Sequence, residues 1–197
     1  MKMILFLYIG LYNKFMIVLA GASASGKTEV AKELAKRFGI TKVITTTTRK
    51  MRVGEVNGRD YFFVTKERFQ EMIKEDKFVE YTVYNDNYYG STKDQIAPNK
   101  CVVIDPAGLR AYIALNDPSI ITFFLNTQEE VRYQRMLQRG DKEEDAKRRI
   151  EHDRIAFKPE NIANVDCQVD SQNFNVEEVT NYIHKKYLAI LQTRKIN

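Results

Sequence analysis

Tryptophan is absent from this 197-residue chain, and cysteine (2), histidine (2), proline (4) and glycine (9) are scarce. Two cysteines, Cys101 and Cys167, each beside apolar residues, are too few for a disulfide framework and lack metal-ligand spacing. They read as reduced structural thiols of a cytosolic protein. His152 and His184 have no partner pattern and read as surface residues, and no zinc cluster or hydrolytic triad is visible. Sparse Gly and Pro exclude collagenous and low-complexity segments, and no internal repeat stands out. No apolar run is long enough to span a bilayer. What remains, 44% hydrophobic and 29% charged residues, fits one soluble globular domain. The net charge of +5 suits anionic ligands, either small phosphates or nucleic acid. No aromatic-basic platform supports nucleic acid.

The first residues, "MKMILFLYIGLYNKF", are apolar behind Lys2 and could pass for a short signal peptide. No small-x-small cleavage site follows, and the next residues, "MIVLAGASASGKT", already form a strand leading into a glycine loop. Two readings remain: Met16 is the functional start, or residues 1–15 are a dispensable extension.

"FMIVLA" (15–20) reads as a buried strand. "TEVAKELAKRFG" follows with Val30, Ala31, Leu34, Ala35 and Phe38 at helical spacing, and Gly39 as its C-cap. Strand signals return at "CVVID" (101–105), "SIITFFLN" (119–126) and "VDCQVD" (165–170). Helical patterns alternate with them: "GLRAYIAL", "QEEVRYQRMLQRG" and "VEEVTNYIHKKYLAILQ". This alternation predicts an α/β fold, a parallel sheet covered on both faces. Residues 45–93, polar and aromatic-rich with a helix "KERFQEMIKEDK", read as an insert. The charge-dense stretch 135–154 reads as a solvated helical hairpin or as a lid over a polyphosphate.

Between the first strand and helix lies "GASASGKT", which fits G-x-x-x-x-G-K-S/T. Strand, glycine loop and helix are the context this phosphate loop needs. Backbone N–H groups of Gly21, Ala22, Ser23, Ala24, Ser25 and Gly26, with the helix N-terminus, make an anion nest. Lys27 would reach the β- and γ-phosphates of ATP, and the Thr28 hydroxyl would ligand Mg²⁺. Arg135, Arg139 and Arg149 are lid candidates for neutralising charge and excluding water. Arg132 and Arg148 read as surface residues.

The insert contains "TTTTRKMRVGEVNGRDYFFV" (45–64). Arg49 and Arg52, three apart in a glycine-containing loop, suggest a phosphate clamp, because arginine forks match phosphate oxygens. Tyr61 could add a hydroxyl. "FVEYTVYNDNYYGST" holds Glu80, Tyr88, Tyr89 and Ser91. A carboxylate near a hydroxyl suits guanine, whose N1 and N2 are paired donors and whose O6 accepts.

These stretches resemble the guanylate kinase family from Met16 onward. The first is similar to its S-x-T-T-R-x-x-R-x-G-E-x-x-G-x-D-Y, the second to its F-x-E…Y-G-S/T, and "QRGDKEED…RRI" to its R-G-x-x-x-E lid. The resemblance implies a three-layer P-loop kinase fold with a central parallel sheet, an inserted GMP-binding subdomain and a helical lid. One domain would cover 16–197, with its core at 16–44, 94–134 and 155–197, the insert at 45–93 and the lid at 135–154. Arg49, Arg52, Tyr61 and Tyr89 would hold the GMP phosphate, Glu80 the guanine N1 and N2 donors, and Ser91 and Thr45 its O6. Asp105 matches an aspartate that reaches the guanine side. Arg139 and Arg149 match lid arginines that reach across both nucleotides, with Lys27 and Thr28 serving ATP. The expected activity is phosphorylation of GMP and dGMP by ATP with Mg²⁺, in the cytoplasm, by a monomer or homodimer with no nucleic-acid or membrane partner.

This chain departs from the family at several points. Val103 stands where the family has the first aspartate of D-x-D, Asp170 where an asparagine is common, and Thr45 where a serine is usual. The lid is about one residue short. Each site residue also has a plain structural alternative: Tyr61 and Tyr89 as half-buried strand tyrosines, Glu80 as solvent-facing, Asp105 as a helix N-cap. The competing functions are a nucleoside monophosphate kinase with another acceptor and a non-catalytic binding module, which would be expected to lose the phosphate loop.

Overall fold

The apolar run "MIVLAG" forms strand β1 (Met16–Gly21), buried along its whole length. The computed structural model describes residues 15–84, 86–162 and 164–194. The expected extension therefore lies, apart from Phe15, outside the described residues. After β1 come helix α1 (Lys27–Phe38) and strands β2 (Thr41–Lys42), β3 (Thr46–Thr47) and β4 (Phe62–Phe63). Helix α2 (Lys66–Lys74) precedes β5 (Phe78–Tyr84) and β6 (Asn87–Thr92), followed by β7 (Lys100–Ile104) and α3 (Pro106–Ala114). Strand β8 (Ile120–Asn126), α4 (Glu129–Gln138), α5 (Glu143–Ala156), β9 (Cys167–Asp170) and α6 (Val176–Arg194) complete the chain.

Five strands form a sheet in the order β2-β7-β1-β8-β9, and every pairing in it is parallel. Side chains alternate across β1 because the strand period is two. Ile17 and Leu19 meet Leu34 of α1 and Ile183 and Tyr187 of α6 on one face. Met16, Val18 and Ala20 meet Leu109 and Tyr112 of α3 on the other. Helix, sheet and helix make three layers, and each fully buried Leu or Ile contributes about 1.5–3 kcal/mol. The connection from β1 runs to β2 on one side and that from the neighbouring β8 runs to β9 on the other, so the C-terminal ends of β1 and β8 form a topological switch point, where such sheets open a crevice.

The insert has its own sheet, β4-β3-β6-β5, backed by α2, whose Phe69 stacks on Phe78 at 4.3 Å between ring centroids. Helices α4 and α5 pack through Met136, Ala146 and Ile150. No helix among the described residues is long and apolar enough to cross a membrane.

Gly39 ends α1 with φ 69°, its N–H bonded to the Ala35 carbonyl. Other expectations are corrected. Arg132 is not a surface residue: it is 6% exposed, because Asp153 on α5 gives it a buried partner at 2.8 Å. His184 is half-buried, since its ring stacks on Phe38 at 3.6 Å. The last strand begins at Cys167, not Val165, because Asp166 turns its carboxylate onto the N–H and hydroxyl of Thr122 at 2.8 and 2.9 Å. Cys101 is buried, which pushes its thiol up to about 12, and Cys167 is also a free thiol.

Candidate active site

The phosphate loop joins β1 to α1. Gly21 has φ 155° and no room for a side chain, since a Cβ would sit 2.7 Å from Ser25 Oγ and 2.8 Å from the Leu125 carbonyl. Gly26, at φ 98°, turns the chain into α1. The first amides of α1 have no partner within the helix, as at any helix start. Lys27 Nζ donates to the carbonyls of Gly21 at 2.6 Å and Ala22 at 2.8 Å. Burial lowers its pKa to about 8, opposed by the charges of Asp153 and Asp105 and assisted by Arg132. The exposed Thr28 follows on the first turn.

A cavity of 590 Å³ extends from this loop, lined by Ser25, Gly26, Lys27, Thr28, Arg135, Arg139 and Phe174 among others. A neighbouring cleft of 570 Å³ is lined by Lys27, Val103, Asp105, Arg110 and Asp153. A third cavity of 410 Å³ is lined by Glu80, Asp105, Gly108 and Thr82. Lys27 borders the first two and Asp105 the last two, so the three adjoin in a row, a segmented trough from the phosphate loop to the insert.

Glu80 is placed at its end by backbone geometry. Phe78 pairs with Thr92 and Glu80 with Ser91, a β-bulge that leaves Val79 unmatched and re-aims the strand. Gly90 permits this, as a Cβ there would stand 2.7 Å from Phe78 Cδ1 and 2.9 Å from the Glu80 carbonyl. Glu80 Oε1 accepts from Ser91 Oγ at 2.7 Å and Ser91 N at 3.1 Å. Burial raises the Glu80 pKa; Ser91 opposes the shift and Asp105 adds to it. Asp105 is the N-cap of α3, accepting from Gly108 N at 2.8 Å, as its structural alternative expects, and it also lines the cavity that Glu80 lines.

Arg49 follows β3 in the insert and lines none of these three cavities. Its Nη2 donates to Glu55 Oε1 at 2.7 Å, and its guanidinium lies 5.3 Å from the Tyr61 ring. Tyr61 meets Tyr89 edge-on at 6.2 Å. Arg52 is exposed, but its N–H donates to Glu55 Oε2 at 2.7 Å. Thr45 precedes β3 and accepts from Phe62 N at 3.0 Å; it does not line the Glu80 cavity. Arg139 holds Asp141 through Nε at 3.0 Å and Nη2 at 2.6 Å, and Arg149 approaches the same carboxylate at 3.7 Å. Arg135 donates to the carbonyls of Ser171 at 2.8 Å and Ala24 at 3.4 Å.

Four residues were not singled out from the sequence: Glu55, Asp141, Phe174 and Asp153. Glu55 had a signal, the acid of R-x-G-E. Asp141 and Asp153 were hidden in a charge run, and Phe174 stands in a loop with no pattern.

A phosphate loop opening into a trough whose far end carries a half-buried carboxylate, with arginines along it, defines a P-loop phosphotransferase with a small acceptor. The family model for guanylate kinase matches residues 13–186. The guanylate kinase of Wolbachia pipientis wMel is 29% identical over 188 residues, 91% of this chain and 94% of its own. That of Carboxydothermus hydrogenoformans is 32% identical over 164 residues, 79% of this chain and 78% of its own. The crystal structure of guanylate kinase from Anaplasma phagocytophilum shares the fold, with TM-score 0.60 at 22% identity over 90% of this chain and 86% of that one. The chain belongs to the guanylate kinase family, and with it to the ATP:GMP phosphotransferases.

Proposed function

We propose that the protein transfers the γ-phosphoryl group of ATP to GMP and dGMP, giving GDP or dGDP and ADP. The observation that carries this reading is the Glu80 carboxylate at the acceptor end of the trough. Its Oε1 is held by Ser91, and its Oε2 makes no hydrogen bond among the described residues, so it can take a guanine N–H donor. Arg49, Arg52, Tyr61 and Tyr89 hold the acceptor phosphate, with Ser91 and Thr45 toward O6 and Asp105 beside the base. Gly21 to Thr28 cradle the ATP phosphates. Lys27, Arg139 and Arg149 neutralise the charge that spreads over the transferred group, in an in-line displacement without a covalent enzyme intermediate.

The donor set fits Mg²⁺. Among the described residues there is no group of three acids, histidines or cysteines that could hold a metal ion, and Thr28 offers one hydroxyl. That matches an ion carried chiefly by nucleotide oxygens and water, as Mg²⁺ prefers. When bound, it would neutralise phosphate charge. The need for ATP fits a cytoplasmic enzyme.

The test is an ADP-release assay with GMP, dGMP, AMP, CMP and UMP as acceptors. A site built on Glu80 rejects bases lacking the paired donors by roughly 10⁴-fold. Equal rates with AMP and GMP overturn the reading.

A further inference from the structure

Arg132 and Asp153 form a salt bridge in which both side chains are almost wholly buried, with N···O 2.8 Å and side-chain exposures of 7% and 6%. Arg132 belongs to α4 and Asp153 to α5, so the pair ties these helices together. It also reaches the phosphate loop. Asp153 Oδ2 accepts the Ser23 backbone N–H at 2.8 Å, and Oδ1 accepts the Ser23 hydroxyl at 3.4 Å. Arg132 Nη1 donates to the Ser23 carbonyl at 3.4 Å, and its Nε to the Thr127 carbonyl at 3.2 Å. Both peptide groups flanking Ser23 are therefore held by side chains from the helices that carry Arg135 and Arg149, the first of which ends at Arg139.

Stability alone is a poor reason for this arrangement. A buried ion pair is often no better than an apolar pair of similar volume, because desolvation of two charges offsets their attraction. What the pair adds is direction. Ser23 stands just before Ala24, Ser25 and Gly26, whose backbone leads into Lys27 and Thr28. A fixed Ser23 sets where those N–H groups point, and it does so relative to α4 and α5, the frame of the lid arginines.

We infer that Arg132 and Asp153 are positioning residues for phosphoryl transfer, fixing the phosphate loop in register with the arginine-bearing helices. Neither touches the reacting atoms. They act through Ser23 on the donor half of the site, and their side-chain hydrogen bonds go to Ser23, Thr127 and each other rather than to Glu80 or Arg49. The inference rests on the reading of the loop as the ATP site.

The experiment compares wild type with the apolar double variant Arg132→Met/Asp153→Leu and with Asp153→Asn. The double variant leaves no stranded charge, so its thermal midpoint stays near wild type. Equilibrium binding of ATP and of GMP is measured separately, alongside steady-state rates. Misplacement of a reacting group by about 1 Å costs up to about 10²-fold, so kcat/KM for ATP is expected to fall about that far. ATP binding weakens with it, while the GMP dissociation constant stays within about twofold. Asp153→Asn, which keeps an acceptor for Ser23 N–H, shows the same ATP-selective pattern to a smaller extent, and it decides the matter if the double variant fails to fold. Wild-type ATP kinetics in a folded double variant overturn the inference, as does equal loss toward both nucleotides. Weak ATP binding by the wild type itself would instead overturn the donor-site reading.

Discussion

One carboxylate sets the spacing of two arginines: Glu55 takes the Arg49 guanidinium on Oε1 and the Arg52 backbone N–H on Oε2, each at 2.7 Å. The pair is well shielded, at 14% and 20% side-chain exposure, and Arg49 is further braced over Tyr61. Arg49 thereby holds the Glu55 carboxyl below the usual carboxylate range. An arginine fixed before its ligand arrives loses less rotamer freedom on binding. Glu55→Ala is therefore expected to raise KM for GMP about tenfold, equivalent to about 1.4 kcal/mol, with KM for ATP unchanged. Steady-state kinetics with each nucleotide varied in turn check this, and a loss shared by ATP would assign Glu55 to the fold instead.

Glu80 makes a sharper prediction because its two oxygens differ. Glu80→Gln puts an NH₂ group where a base donor would arrive. Loss of a charge-assisted hydrogen bond worth about 1.5–3 kcal/mol lowers kcat/KM for GMP about 10²-fold, while ATP binding holds. The wild-type pH profile carries the same information. The ionised form accepts the base, and burial raises the pKa, so kcat/KM for GMP falls with acid through a value above the ordinary glutamate range. That acid limb disappears in Glu80→Gln, and its persistence would assign it to another group.

Lys27 governs the alkaline side. Only the protonated amine neutralises phosphate, and burial, which outweighs Asp153 and Asp105, lowers its pKa to about 8. In the free enzyme, kcat/KM for ATP is expected to fall tenfold per pH unit above that value. The stability linkage has the opposite sign. The unfolded chain binds this proton more tightly than the folded one, so the Lys27 contribution to stability rises as pH climbs from about 8 toward the unfolded value. Denaturation of the nucleotide-free protein across that window, in wild type and Lys27→Met, reads the difference directly.

Much of this was legible in the sequence wherever local pattern and tertiary role coincide. "MIVLAG" is apolar on both faces because both faces of β1 are buried, and Gly39 ends α1 because a left-handed turn there favours glycine. The Arg49 and Glu80 stretches were legible through motif spacing. What failed were roles created by contact between distant segments. Asp153 looks like a member of a solvated charge run and Arg132 like a surface residue just before it, and only the α4–α5 packing makes each the other's buried partner. His184 carries no local sign that Phe38, on another helix, will cover its ring. The bulge at Val79 depends on Gly90, a strand away.

Val103 is where the chain departs most clearly from the family motif, and its surroundings define the test. It is half-buried, packs at the edge of the α1 and α6 side of the core, and lines the cleft with Lys27 and Asp105. A carboxylate at this position would join the polar wall of that cleft and act on Lys27 through space. Val103→Asp is therefore expected to shift the alkaline limb of kcat/KM for ATP upward, because a nearby negative charge favours the ammonium form. It should also lower the Mg²⁺ concentration for half-maximal rate, as an added acid draws the cation's water shell. The cost is stability. A half-buried valine exchanged for a charged group loses about 1–3 kcal/mol, read as a lower denaturation midpoint. Mg²⁺ titrations and pH profiles of both proteins decide the matter. If neither moves while stability falls, position 103 serves only the core, and the donor half works with Thr28 and the nucleotide's own oxygens.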